Sequence, residues 1–448
     1  MFVGIDFGTS NSSIGVFQDN KLKMFNLDPT NANPGVLPSF TYINRDQEVS
    51  TGIKAVDMYL EQETGRRPIW EKRYSGAVEM IAAGSEDDPI MYMQDIITEV
   101  DVAANGRLIQ SIKTGLRDPK YLGTQIFDRF YTIEELIAIL LTRLRVSCEE
   151  SMGQPVTRAV MGRPVKFAED PAVDELAQKK LLKAAHMAGL NDVVFEYEPI
   201  GGAYMYHQSQ PERQNILVFD FGGGTLDMTV VEVGGSIPPR TIATHGVLLG
   251  GDDLTAALMK KLFHYFGENS ILSDGLPLPA YFFELLYNWQ DMVELSRPKY
   301  AGIFKQAKEG SDPIGARRLE ALVTQKLGFK LFRELEKSKI TLSSSLFTTL
   351  HFFEDDLAFR QTILRTHFEY CIRKELITVE KAIDEIMRKS SLQPDQVQAV
   401  LRTGGSSEVP VIIDLLAKKF GREKVKEINP FTTVVGGLAI KAKEISAN

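Results

Sequence analysis

Val3-Gly4-Ile5-Asp6-Phe7-Gly8-Thr9-Ser10-Asn11 opens the chain, and Leu217-Val218-Phe219-Asp220-Phe221-Gly222-Gly223-Gly224-Thr225-Leu226-Asp227 repeats its pattern about half a chain later. Each copy is an apolar run ended by an aspartate, a glycine-rich turn, and a second apolar run, Ser13 to Phe17 or Met228 to Val233. Runs of this length bounded by turn residues predict buried strands joined as hairpins. Glycine in the turn lets backbone N–H groups converge on an anion with no Cβ in the way. A purely structural hairpin has no need of the aspartate, and an unpaired carboxylate at a buried strand end is costly. Asp6 and Asp220 therefore call for a cation, and Mg²⁺ with its waters fits best. Two such hairpins predict two similar half-domains gripping one polyphosphate–metal ligand. Asp227 reads equally as a third member of that set or as a solvated strand end.

The bulk composition agrees with an ordinary globular protein. At 448 residues the chain exceeds the roughly 250–300 that one core usually supports, so two or more cores are expected. Hydrophobic content of 44% and charged content of 25% are those of a globular chain. A net charge of −8 removes the electrostatic footprint of a non-specific nucleic-acid binder. No apolar run approaches the roughly 20 residues of a membrane span, and Asp6 interrupts the first one, so neither membrane insertion nor secretion is expected. Cytoplasm is the default. Cys148 and Cys371 lie far apart with no partner at metal spacing, and the six histidines form no ligand pair.

Outward from the hairpins, Tyr42 to Arg129 mixes a helical pattern at Met80 to Ala83 with the turn Gly84-Ser85-Glu86-Asp87-Asp88-Pro89, as in an appended subdomain. A helix is expected from Thr132, where Glu135 completes a capping box, with Ile133, Leu136, Ile137, Leu140, Leu141 and Leu144 on its apolar stripe. Strand Thr157 to Pro164, helix Asp174 to Met187 and strand Val193 to Tyr197 form a βαβ unit beside the first hairpin. Gly250-Gly251-Asp252-Asp253 opens a further helix. The stretch from Gly267 to Pro313 is loop-like and aromatic, and Tyr281 to Trp289 reads as a docking surface or as the core of an inserted subdomain. Long helices are expected over Ala316 to Leu342 and Thr366 to Lys389. Strand Val397 to Leu401 enters a third glycine pair, Gly404-Gly405, where backbone can approach a base or ribose closely. A last helix is expected over Thr432 to Glu444.

The glycine sites in this order, with Tyr197-Glu198-Pro199 between the first two, resemble the actin, sugar-kinase and heat-shock-chaperone ATPase superfamily. The resemblance is greatest to the nucleotide-binding domain of the seventy-kilodalton heat-shock chaperones. It is carried by the two hairpins, Leu249-Gly250-Gly251-Asp252-Asp253, Thr341-Leu342-Ser343-Ser344-Ser345 and Thr403-Gly404-Gly405-Ser406. Residues 44–105 and 266–316 do not share it. The resemblance implies an α/β, actin-like ATPase fold: duplicated ribonuclease H-like lobes with two inserted subdomains and ATP or ADP with Mg²⁺ in a central cleft. Lobe one would span 1–211 with an insertion over about 42–130. Lobe two would span 212–425 with an insertion over about 252–375, and residues 426–448 would return to lobe one.

Position by position, the resemblance implies that Gly8, Thr9, Ser10, Asn11 and Gly222, Gly223, Gly224, Thr225 cradle phosphates, with Gly250 and Gly251 beside them. Asp6 and Asp220 would hold the metal through its water shell. Glu198 would position or deprotonate the attacking water, and Lys113 would meet the γ-phosphate. Glu336, Lys339 and Ser343 match adenosine-contacting positions, and Gly404, Gly405 and Ser406 the base- and ribose-facing turn. Read without the family, Glu198 caps a turn before Pro199 and Lys113 is a solvated lysine.

The chain also departs from the family. Ile340 and Glu408 stand where an arginine usually flanks each side of the adenine, Phe431 replaces an acidic residue, and Gly201-Gly202 replaces a Thr-Ala pair, a change expected to loosen the lobe crossover. No interdomain linker, peptide-gripping sandwich or lid is expected beyond Asn448, as in stand-alone chaperone-like proteins of the YegD type, so peptide holding is not implied. The expected function is a slow ATPase acting as a nucleotide-dependent switch for a protein partner or client. A sugar or polyol kinase is the alternative, and an actin-like filament protein a third.

Overall fold

In the computed structural model, which describes residues 1–85, 88–354, 356–429 and 431–447, the opening strand Phe2–Phe7 is the hub of the first sheet. It pairs antiparallel with Asn11–Gln18, which continues antiparallel to Lys21–Met24. On its other side it pairs parallel with Arg158–Arg163, which in turn pairs parallel with Asp192–Tyr197. The second sheet repeats this order strand for strand. Gln214–Phe221 pairs antiparallel with Leu226–Val233, and that strand with Arg240–Val247. Its other neighbour is Ala399–Thr403, followed by Val425–Glu427, both parallel. The sequence repeat is thus a repeat of topology, and the mixed α/β fold expected of an actin-like ATPase is what the chain adopts.

Parallel neighbours need helical crossovers, and these cover the sheets. The helix Ile133–Met152 begins at Thr132, whose hydroxyl accepts from the Glu135 N–H at 3.2 Å while the Thr132 N–H donates to the Glu135 carboxylate at 2.8 Å. Its expected stripe is fully buried. The C-terminal helix Thr433–Ala447 packs against the first sheet and against the short helix Glu198–His207.

That crossing is made of glycine. A Cβ at Gly437 would penetrate the Gly201 carbonyl, one at Gly201 would stand 2.7 Å from the Val434 carbonyl, and one at Gly4 would penetrate the backbone of Ala439. Gly201 thus permits a closer crossover than a side chain would allow, the reverse of the loosening expected from the sequence.

Other expectations change for identifiable reasons. Met80 to Ala83, expected helical, lie in the strand Trp70–Ser85, which pairs with Asp88–Asp101. Four residues of helical pattern are too few to nucleate a helix against a long strand ladder. Glu86 and Asp87 of the expected turn lie outside the described residues. The helix expected over Ala316 to Leu342 is two, Pro313–Thr324 and Gly328–Ser344, broken where Lys326 takes a left-handed φ of 52°. The helix expected over Thr366 to Lys389 is likewise two, Arg365–Cys371 and Arg373–Ser390. Between them and the preceding helix lies an unforeseen hairpin, Phe347–Glu354 with Leu357–Leu364. The aromatic stretch contains the short helices Ala280–Glu284 and Ala301–Lys308, and Phe282, Phe283 and Leu286 are buried in the large core beside the second sheet. No helix among the described residues is long and apolar enough to cross a membrane.

Two segments distant along the chain, around residues 42–108 and 289–329, meet in one cluster. Phe329, from the second, is buried against Tyr42, Tyr59 and Leu108 of the first, and Trp289 packs on the same cluster. Ring centroids lie 5.4 Å apart for Tyr59–Phe329 and 4.8 Å for Trp289–Phe329. Lys326, delivered by its left-handed turn, donates to Glu63 at 2.9 Å and Asp101 at 2.8 Å, and the Trp289 indole N–H donates to Gln110 at 2.7 Å. Trp289→Ala is expected to cost about 2 kcal/mol, less than a fully buried tryptophan because the ring is only partly covered. A denaturant midpoint equal to wild type would show that this contact carries no stability.

Candidate functional site: a cleft between two glycine hairpins

The first strand of each hairpin carries its aspartate one residue before its end, and each following turn projects toward the other. A Cβ at Gly223 would strike the Ser10 hydroxyl, and one at Gly224 would stand 2.9 Å from the Thr9 hydroxyl. The hairpins therefore face one another across a cleft of about 330 Å³. Gly8, Thr9, Ser10 and Asn11 line one wall, and Gly222, Gly223, Gly224 and Thr225 the opposite one, with Asp6, Asp220, Lys113 and Glu198 at the base. Gly251, Glu336, Lys339, Ser343, Gly404, Gly405 and Ser406 line the far end. Gly250 stands behind the hairpin. A Cβ there would penetrate the Gly223 carbonyl, which accepts from the Asp252 N–H at 2.9 Å, while the Gly222 carbonyl accepts from the Gly251 N–H at 2.9 Å. Gly250 seats the second turn without lining the cleft.

Three carboxylates line the base, Asp6, Glu198 and Asp220, and a fourth, Asp227, is buried beside them. Asp220 and Asp227 are register partners across the second hairpin, and Asp6 occupies the equivalent strand end in the first. Asp227 is buried, accepting from the Val165 N–H at 2.7 Å, so the solvated strand end is not what it is. Glu198 is the first residue of its helix, where the helix N-terminus favours negative charge. It accepts from the Lys113 ammonium at 2.5 Å, both side chains being nearly buried. Lys113 is thus not a solvated lysine, and Glu198 is not merely a turn cap.

Burial pushes the Asp6 carboxyl up to about 7, aided by the Glu198 charge and opposed by Lys113. Burial likewise raises Asp220 well above the usual carboxylate range, with Glu198, Asp227 and Asp6 adding to it. Asp227 is pushed up to about 7, mainly by burial and then by Glu198. One ammonium among four carboxylates leaves an excess of buried negative charge, which a bound divalent cation would relieve. Hard oxygen donors suit Mg²⁺. Among the described residues no three carboxylate, histidine or cysteine side chains converge into a direct cage.

At the far end Lys339 is buried, donating to the Gly251 carbonyl at 2.9 Å and the Thr255 hydroxyl at 3.0 Å and pairing with Glu336 at 2.7 Å. The Ser406 hydroxyl donates to the Gly222 carbonyl at 3.0 Å, joining the third glycine turn to the second hairpin. Ile340 and Phe431 are exposed on the cleft wall. The Glu408 carboxylate is taken by Arg402 at 2.9 Å.

Three further residues stand at or beside the cleft without a role expected from the sequence, although Asp252 and Thr403 fall inside its glycine motifs. Asp252 lines the wall, the buried Thr403 hydroxyl has no hydrogen-bond partner among the described residues, and Arg117 donates to the Gly224 carbonyl at 2.5 Å across the cleft. Arg117 lies in the same tight turn as Lys113, Ile112–Arg117, and that proximity was the only available clue.

A family model described as Hsp70 protein matches residues 102–274 and 317–448. The match leaves out 275–316, within the stretch that bears no sequence resemblance, and also 1–101. Two similar proteins, each described as "Chaperone protein DnaK", come from two strains of Thermus thermophilus and are 26% and 25% identical to this chain. Each alignment covers 98% of this chain and 60% of the relative, so the chain spans about 60% of the length of these curated relatives.

Proposed function

Because the chain belongs to the Hsp70 protein family, we propose that it is a chaperone-related nucleotide switch that closes on Mg-ATP, hydrolyses it slowly to ADP and phosphate, and reports its nucleotide state to a protein partner. The observation that carries this reading is the base of the cleft, where Asp6, Glu198, Asp220 and one lysine sit beneath two facing glycine hairpins, with Asp227 buried beside them. Backbone N–H groups of Gly8 to Asn11 and of Gly222 to Thr225 receive the phosphates. Asp6 and Asp220 would hold Mg²⁺, which when bound would supply positive charge to offset that of the phosphates. A γ-phosphate at the base competes with Glu198 for the Lys113 ammonium. The Glu198 carboxylate is then free to orient a water and accept its proton. The water oxygen bonds to the γ-phosphorus while the bond to the β–γ bridging oxygen breaks, and that oxygen keeps the electron pair. Lys339, Glu336, Ser343 and the Gly404–Ser406 turn receive the nucleoside.

Calorimetric titration with ATP, ADP and GTP, each with and without Mg²⁺, tests the reading. ATP and ADP are expected to bind and to need Mg²⁺ for full affinity. Asp220→Ala should remove the metal dependence. Equal affinity with and without the metal would take Asp6 and Asp220 out of the assigned role.

A further inference from the structure

The third glycine turn and the strand that enters it carry three hydroxyls, two of which are placed in hydrogen bonds. Ser406 donates to the Gly222 carbonyl at 3.0 Å and Ser407 to the Gly404 carbonyl at 2.8 Å. The third, on Thr403, is 2% exposed and has no hydrogen-bond partner among the described residues. Thr64, Thr229 and Ser270 also carry buried hydroxyls without partners, but of these four residues Thr403 alone lines the cleft. Burying a hydroxyl without a partner is costly, and a valine of the same shape would avoid that cost. The Thr403 hydroxyl is therefore completed only by a group that enters the cleft.

Its position says which group. Thr403 ends the strand Ala399–Thr403 as the register partner of Asp220 on the parallel strand Gln214–Phe221. Register partners on neighbouring strands present their side chains to the same face of a sheet, and both residues line the cleft. The chain then turns at Gly404 with a left-handed φ of 80°, and a Cβ there would stand 2.9 Å from the Asp220 carboxylate. Glycine thus keeps the corner beside Thr403 and Asp220 free of any further side chain. We infer that Thr403 is an additional cation-binding residue, its hydroxyl completed by the divalent ion held at Asp220 or by a water on that ion. A hydroxyl suits the place because it adds a hard oxygen without adding negative charge to a base that already holds Asp6, Glu198 and Asp220. The inference rests on the Mg-nucleotide reading for the identity of the ion.

Mn²⁺ titration of the full chain, followed by electron paramagnetic resonance with and without ADP, is the test, with Mn²⁺ standing in for Mg²⁺ as an ion that takes oxygen ligands. Thr403→Val keeps the shape of the side chain and deletes the hydroxyl. It is expected to weaken Mn²⁺ binding about fivefold to tenfold, and to leave ADP affinity in metal-free buffer within about twofold of wild type. Thr403→Ser keeps the hydroxyl and should bind Mn²⁺ within about twofold of wild type. With no ligand present, the valine variant should melt at or above wild type, because an unpartnered hydroxyl has been removed. Mn²⁺ affinity unchanged in the valine variant would overturn the inference, as would a serine variant as weak as the valine one or a wild type that takes no Mn²⁺ in either arm. A valine variant that melts lower with its Mn²⁺ affinity intact would assign Thr403 to the fold alone. Weakened Mn²⁺ binding in the arm without nucleotide, together with a wild type that takes no ADP, would uphold the role of Thr403 and count against the nucleotide reading.

Discussion

Glu198→Gln is expected to slow single-turnover ATP hydrolysis by about a hundredfold to a thousandfold while leaving Mg-ATP affinity within about threefold. The substitution keeps the shape of the side chain and its place at the start of the Glu198–His207 helix. It removes the charge that orients and deprotonates a water. Stability should not suffer, because Asp6, Asp220 and Asp227 remain to balance Lys113. Lys113→Met makes the opposite change. It deletes the ammonium that offsets four buried carboxylates, and breaking a buried pair from one side costs about 3–5 kcal/mol. That variant should melt well below wild type without Mg²⁺ and recover in part when the metal is added. Glu198→Gln turning over at the wild-type rate would remove Glu198 from the mechanism.

Gly437→Ala is the second large effect. The added methyl would penetrate the Gly201 carbonyl, and both partners are helix backbone. Rotamer changes cannot relieve such a contact, so the C-terminal helix must lift from the Glu198–His207 helix, at a cost of about 3 kcal/mol, the upper end for overpacking. The helix it lifts from carries Glu198 at its first position, so hydrolysis should fall with stability. Gly302→Ala is the control. It lies in the helix Ala301–Lys308 with nothing within 4 Å of its Cβ position, and should be neutral or stabilising by up to about 1 kcal/mol. Identical midpoints for the Gly437 and Gly302 variants in chemical denaturation would refute the glycine crossing.

Both expectations depend on where distant segments meet, and the sequence reveals that unevenly. The duplicated strand–aspartate–glycine pattern is legible because alternation, turn chemistry and the terminal carboxylate are local properties of about ten residues. The same holds for the Thr132 capping box, whose partners are three residues apart. The helical breaks at Lys326 and Ile372 were not legible. Their periodicity continues across the break, and Lys326 turns left-handed where it pairs with Glu63 and Asp101, which lie 263 and 225 residues away in the sequence. The hairpin Phe347–Glu354 with Leu357–Leu364 does alternate along His351 to Ile363, a signal passed over between two stronger helical patterns.

The sequence alone determined that there are two glycine-rich hairpins of one pattern and the chemical kind of residue each presents. All of that is encoded in near neighbours along the chain. Tertiary structure decided the pairing of Lys113 with Glu198 across 85 residues, the seating of Gly437 on Gly201, and the aromatic contact of Trp289 with the first insertion. It also decided that the Thr403 hydroxyl is buried on the cleft wall without a hydrogen-bond partner among the described residues. Burial and through-space charge come into being only when the lobes fold against each other, and residue order does not carry them.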